Sequence, residues 1–454
     1  MAIEHSGEPK SNDVRRVIAD REPVALRTYT PSLLAITTSA GVFHWTADGR
    51  KLYDYTSGVL VANLGHNPAE WQKRFLTYMG WTQAPPPKGY FEAVPLTAYN
   101  AATAIEASAV RRLVAHLQTK PGGKRCEQIL WAASGSEAVQ KALWAALARE
   151  PGRDLVLATR EGFHGKKGLA EAVTGTESDK NRDPRVRFIS FPKEESRDVS
   201  LRGAPFDPAP YRAELEKIKA EGRGIACLIT EPYLGGAGSY HPPKAYLQML
   251  QDFCRQNNAV FILDEIQANF GRTGKTFAFE TYGLEPDVVV LGKGLGNGVP
   301  ASCAAGRREV LGALQYGEGS DTFSANPLCC AAVLATLDIF ESQDILGAAR
   351  KSSRIIEEGL LALKKLPFVK AVRGEDGGMV WGVEVGEFGG KSANEVANAC
   401  VLAAYRGDSE GRAVHLMGPL AKKVLRIAPP LTITEAEAHD SVACLAECLK
   451  SLRP

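Results

Sequence analysis

Between about residues 128 and 306 the chain repeats one pattern: a short apolar run rich in β-branched residues, a glycine-rich or polar turn, then a stretch with helical spacing. The runs are Ile129 to Ala132, Leu155 to Ala158, Val186 to Ile189, Ala226 to Thr230, Val260 to Leu263 and Val288 to Leu291. A run that is apolar at nearly every position has no solvent face, so it must be covered on both sides, and here the intervening helices supply the cover. The pattern predicts an α/β domain around a largely parallel sheet. In such sheets ligands bind beyond the carboxyl ends of the strands, which directs attention to the residues that follow each run.

The flanks read differently. Residues 40 to 62 alternate in polarity and contain Asp48-Gly49, the signature of a hairpin. Residues 328 to 365 have helical spacing, and 370 to 454 return to short strands and a closing helix. A smaller α+β domain assembled from both chain ends is therefore expected, with boundaries at 1–62, 63–335 and 336–454. Pro85-Pro86-Pro87 and Glu194 to Pro210 read as surface loops.

Composition excludes several classes. Lys+Arg number 54 against 52 Asp+Glu, a net charge of +2 over 454 residues, so the footprint of a general nucleic-acid binder is missing. Apolar runs such as Ala259 to Leu263 fall well short of the roughly 20 residues that span a bilayer, so no membrane association is expected. The first twenty residues mix both charge signs without an apolar stretch, which points to the cytoplasm. Nine cysteines form no C-x-x-C pair and read as reduced thiols, with neither disulfides nor a metal expected.

Four features follow the apolar runs: SGSEA (134–138), GFHG (162–165), LDEIQ (263–267) and LGKGLG (291–296). Each has an ordinary reading. Ser134 to Glu137 is a good helix start, which also offers unpaired N–H groups to a phosphate. Asp264 ends a buried run, where an ionised carboxylate needs a positive partner, either Arg272 or another base, or a cation brought by a ligand. Lys293, flanked by glycines, is either a surface lysine in a turn or a desolvated amine suited to Schiff-base chemistry. Nucleotide motifs fail on spacing: Lys293 is followed by Gly294 where a P-loop needs Ser or Thr, and Gly294-Leu295-Gly296-Asn297-Gly298 leads into Val299-Pro300 and no helix. Taken together the four features supply what pyridoxal 5′-phosphate requires: a helix start for the phosphate, an aromatic for the ring face, a carboxylate for the pyridine nitrogen and a lysine for the aldehyde.

The sequence resembles the class-III aminotransferases, a fold-type-I family of pyridoxal-phosphate enzymes that includes ω-aminotransferases, 4-aminobutyrate aminotransferases and dialkylglycine decarboxylase. The likeness runs from YDYTSGVLVANLGHNP (53–68) to LRIAPPLTIT (425–434) and is strongest in LDEIQANFGRTG and DVVVLGKGLGNGVPASC. It implies a large domain with a mostly parallel seven-stranded sheet. It also implies that Lys293 carries the cofactor and shuttles a proton, that Asp264 pairs with the ring nitrogen, and that Gln267 bonds the phenolic oxygen. Phe163 and Ile266 would face the two sides of the ring, and Gly135 and Ser136 would hold the phosphate. Thr322, in DTFSANPL, would reach the phosphate from a neighbouring subunit, which implies a homodimer with shared sites.

For substrate, the resemblance implies that Arg426 grips an α-carboxylate and that Glu231 pairs with it when an ω-amine enters. Lys166 stands after FHG where the 4-aminobutyrate enzymes carry an arginine, and it cannot form the same two-pronged contact. The GHNP and EPYLGGAG segments also depart from the common forms, which disfavours 4-aminobutyrate. The function expected is a two-step aminotransferase taking nitrogen from an ω-amino acid, diamine or related donor to 2-oxoglutarate or pyruvate. A decarboxylating transaminase or aminomutase on the same scaffold is the alternative.

Overall fold

The hairpin forms where Asp48-Gly49 places it. In the computed structural model, which describes residues 2–84 and 86–453, β1 (Ile36–Ala40), β2 (Phe43–Thr46) and β3 (Lys51–Asp54) are antiparallel neighbours. Gly49 supplies the positive φ of +83° at the turn, a conformation costly for other residues. The Asp48 carboxylate accepts from the N–H groups of Lys10 and Ser11, satisfying donors at the start of the helix Pro9–Arg21. Of the loop expected at Pro85-Pro86-Pro87, Pro85 lies outside the described residues, and Pro86 and Pro87 are exposed and outside helix and strand.

The chain divides into two compact units, one of residues 1–68, 197–199 and 345–454, the other of residues 69–196 and 200–344. The larger unit holds β4 (Gln128–Ala132), β5 (Arg153–Thr159), β6 (Val186–Ile189), β7 (Gly224–Thr230), β8 (Val260–Asp264), β9 (Val288–Leu291) and β10 (Ser302–Gly306). These form one seven-stranded sheet in the order β4-β10-β9-β8-β7-β5-β6. Six strands run the same way and β10 is reversed against both neighbours. The expected mostly parallel α/β sheet is what forms.

Its core follows from the composition of the runs. Val260 and Ile262 of β8, Val288 and Val290 of β9 and Ile229 of β7 cluster with Ala138, Ala142, Ala145 and Ala146 of the helix Gly135–Arg149. Alanines let that helix lie close to the sheet, and each buried aliphatic contributes about 1.5–3 kcal/mol relative to exposure. The same packing fixes the helix start beside the strand ends.

The smaller unit adds β11 (Val369–Gly374), β12 (Trp381–Val385), β13 (Val414–His415) and β14 (Val424–Ile427). β11-β12-β14 is an antiparallel sheet, and β13 extends the hairpin sheet to β1-β2-β3-β13 by pairing parallel to β3. A closing helix, Glu435–Lys450, begins at a reciprocal cap in which Thr434 and Glu437 satisfy each other's N–H groups.

Candidate active site

Each of the four features sits at the carboxyl end of a parallel strand of the larger unit, and the packing joins them. The helix after β4 starts at Gly135, and the Ser134 hydroxyl caps it by accepting from Glu137 N at 3.3 Å. The N–H groups of Gly135 and Ser136 occupy its first turn, where backbone donors lack partners within the helix. A methyl added to Gly135 would lie 2.8 Å from Ile266 Cδ1, and one added to Gly292 would lie 3.5 Å from Ile266 Cγ2. Ile266 thus walls a space shared by SGSEA, LDEIQ and LGKG. A methyl on Gly165 would fall 2.2 Å from Ser136 Oγ, which brings GFHG against the helix start. Phe163 is 39% exposed, unusual for an aromatic in so apolar a region, and its face is available to a flat ligand.

Asp264 ends β8 almost fully buried. Its partner among the described residues is a base other than Arg272. Asp264 Oδ2 lies 2.7 Å from Nδ1 of His164, itself buried, and no ion pair with Arg272 forms at Asp264. An ionised carboxylate can only accept, so Nδ1 carries the proton, and Oδ1 accepts from Ile266 N at 3.0 Å. His164 was missed in the sequence although it stands inside GFHG, because only the aromatic of that motif has an obvious task. Its Nε2 is buried without a hydrogen-bond partner among the described residues.

Glu231, one residue beyond β7, is also buried. Its carboxylate accepts from Phe163 N at 3.0 Å, Gly235 N at 3.3 Å and Gln267 Nε2 at 3.2 Å, so it braces the backbone under the exposed aromatic. Burial pushes its pKa up to about 7; the charge of His164 opposes that rise and Asp264 adds to it. Gln267 Oε1 is buried with no partner among the described residues, an orphaned polar end that calls for a polar group from a ligand. Lys293 opens a 3-10 turn just past β9 with φ of +48°. Left-handed backbone at a lysine costs of order 1 kcal/mol and is characteristic of functional turns.

Thr322 is exposed on a turn held from below by Lys141. That buried ammonium bonds Trp131 O at 2.7 Å, Asp321 Oδ2 at 2.6 Å and Ser324 Oγ at 3.0 Å. A lysine on the apolar face of a helix was the available signal for this anchor. Lys166 is exposed beside the site's aromatic. Arg426 lies buried on β14 and belongs to the smaller unit.

These residues fit pyridoxal phosphate. The glycines leave room at the helix start, Ile266 and Phe163 offer apolar surface, Asp264 offers a buried charge, and the orphaned Gln267 end offers a polar contact.

Comparison with known proteins agrees with this reading. The family model "Aminotransferase class-III" matches residues 24–449. The chain is 29% identical to acetylornithine aminotransferase of Bacillus subtilis, over 93% of this chain and 97% of that protein. It is 30% identical to 5-aminovalerate aminotransferase of Pseudomonas putida, over 89% and 91%. A solved (S)-enantioselective ω-transaminase from Thermomicrobium roseum superposes with a TM-score of 0.78 at 25% identity, covering 98% of this chain and 99% of that one. Strand order, site and matched length lead to one assignment: the chain belongs to the class-III aminotransferases, pyridoxal-phosphate-dependent enzymes of fold type I.

Proposed function

We propose that this aminotransferase takes nitrogen from the terminal amine of an ω-amino acid or diamine and delivers it to a 2-keto acid such as 2-oxoglutarate or pyruvate, in two half-reactions at one site. Relatives named for acetylornithine, ornithine and 5-aminovalerate, all carrying a primary amine at the end of an aliphatic chain, support that donor class. The observation that carries the reading is the meeting of three strand-end motifs on Ile266, with a fourth, which presents the exposed Phe163, packed against the same helix start.

When bound, pyridoxal phosphate supplies an aldehyde for the donor amine and a ring that accepts the electron pair left at carbon. The chain's own residues do the rest. The N–H groups of Gly135 and Ser136 and the Ser136 hydroxyl would hold the phosphate. Phe163 and Ile266 would pack against the ring and exclude water. Asp264 would hold a proton at the ring nitrogen by charge, with His164 orienting Asp264 through Nδ1. Gln267 would bond the phenolic oxygen. Lys293 would hold the cofactor through Nζ and, once the donor amine displaces it, would carry the proton to and from the donor's carbon. Arg426 is the guanidinium for the α-carboxylate, and Glu231 and Lys166 are the groups for the donor.

Thr322, exposed on its own chain, completes the phosphate site of a second copy, so the working form is a homodimer. Nine cysteines without a disulfide suit the reducing cytoplasm, and no helix among the described residues is long and apolar enough to cross a membrane.

A donor panel tests the proposal: ornithine, N-acetylornithine, 5-aminovalerate, 4-aminobutyrate and alanine, each mixed with holoenzyme without acceptor while the cofactor's visible absorbance is followed. Bleaching by ω-amines ahead of alanine is expected, with no carbon dioxide released. Bleaching by alanine alone refutes the donor class.

A further inference from the structure

Far along the sequence from the motifs above, the smaller unit gathers an imidazole-rich cluster of its own. His44 lies on β2, Asp54 ends β3, and His66, beyond the short helix Ser57–Leu60, is bridged to Gly41. Asp54 Oδ2 stands 3.4 Å from His44 Nε2 and 2.7 Å from His66 Nε2, and the three donor atoms all fall within 4.8 Å of one another. The rings of His44 and His66 have centroids 4.5 Å apart. From these observations we infer that His44, Asp54 and His66 form a binding site for a divalent transition-metal ion of the zinc or cobalt type.

The donor set selects the ion. Two imidazole nitrogens and one carboxylate oxygen suit zinc, cobalt or nickel, whereas calcium and magnesium prefer oxygen alone. At metal–ligand distances of about 2.0–2.2 Å, tetrahedral donors stand roughly 3.4 Å apart. The His44–Asp54 spacing already matches. His66 must withdraw by a fraction of an ångström, and it is the freest of the three, with 17% side-chain exposure against 4% for His44 and none for Asp54.

A second layer of contacts aims the donors. His44 Nδ1 lies 2.7 Å from Ser39 Oγ, which occupies the ring's other nitrogen. Asp54 Oδ1 accepts from the N–H and hydroxyl of Thr56, both at 2.7 Å, leaving Oδ2 as the oxygen that faces the histidines. His66 is pinned by reciprocal backbone bonds with Gly41, each 2.9 Å. Such outer partners are the usual support of metal-binding imidazoles and carboxylates.

A third ring, His415, stands edge-on to His44 at 5.7 Å between centroids. His415 Nδ1 is buried without a hydrogen-bond partner among the described residues and is the nearest further donor. Water or His415 fills the fourth position. A bound ion would tie β2, β3 and the segment around His66 together and stabilise the smaller unit by mass action.

The test uses chelator-treated holoenzyme titrated with cobalt(II) chloride. About one cobalt per chain is expected, with visible bands of four- or five-coordinate cobalt and a cobalt-edge absorption spectrum fitted by nitrogen and oxygen neighbours. His44→Gln and His66→Asn should each lose this uptake. Should either variant fail to fold, the wild-type spectrum still decides. No uptake in the micromolar range would leave the cluster as a proton-filled hydrogen-bond network and overturn the inference. Sulfur neighbours, which would place the ion on cysteine, or equal uptake in both folded variants would overturn it as well.

Discussion

The contact between His164 and Asp264 makes the sharpest prediction about the active site. Replacing His164 by Phe keeps a planar ring in a buried space but removes the donor 2.7 Å from Asp264 Oδ2, leaving the carboxylate one bond, from Ile266 N. A hydrogen bond to a charged group contributes about 1.5–3 kcal/mol, and stranding a buried charge entirely costs about 3–5 kcal/mol. The lower range applies, because Oδ1 stays bonded and Asp264 can escape by taking up a proton. On the proposed pairing with the ring nitrogen that escape has a catalytic consequence: a neutral Asp264 would no longer hold a proton there by charge. At 1.36 kcal/mol per decade the half-reaction should slow roughly 10- to 100-fold. Stopped-flow single turnovers with one donor measure it for His164→Phe, Asp264→Asn and the double variant. Since both act through one carboxylate, the double variant should be no slower than Asp264→Asn alone. His164→Asn, whose amide can donate near the Nδ1 position, should recover part of the loss. A rate for His164→Phe within twofold of wild type, or losses that multiply in the double variant, would refute the positioning role.

Borohydride reduction followed by peptide mapping should find the cofactor on Lys293; a label on Lys275 or Lys166 would overturn that assignment. Gly165→Ala puts a methyl 2.2 Å from Ser136 Oγ and should weaken cofactor binding about 10- to 100-fold without unfolding the chain, the loss of one charge-assisted bond, read by equilibrium dialysis. Mixing Lys293→Ala with Thr322→Val chains should restore some activity on reassembly if Thr322 serves the partner's site, and none if it serves its own. Glu265 is fully buried against the N–H groups of Ala278 and Phe279, and burial lifts its pKa to about 8 from an ordinary 4.5. The folded state therefore holds this proton more tightly than the unfolded one, so stability is fullest below pH 4.5 and is lost as pH rises toward 8, on the order of a few kcal/mol. Denaturation midpoints across that range should fall less steeply in Glu265→Gln, and parallel slopes would refute the assignment.

What the sequence made legible was whatever a short stretch specifies by itself. Val260 to Asp264 announces a doubly covered strand because four apolar residues and then a carboxylate leave no other stable arrangement. The strand's neighbours carry the same local information, which is why the parallel sheet could be read before any coordinates. β10 carries none: Ser302 to Gly306 has small residues and no β-branched side chain, and it is a strand only because β4 and β9 stand on either side to pair with it. The active site divides along the same line. That Asp264 needs a partner follows from its own surroundings, but that the partner is His164 and not Arg272 depends on a loop 100 residues away folding back over the strand end. His44, Asp54 and His66 are the extreme case, since no metal-binding spacing links them and β13 must arrive from residue 414 to bring His415 beside them. Chemistry is therefore readable from sequence to the extent that its groups share one turn or one strand end, and groups that meet through tertiary pairing must be found from the fold.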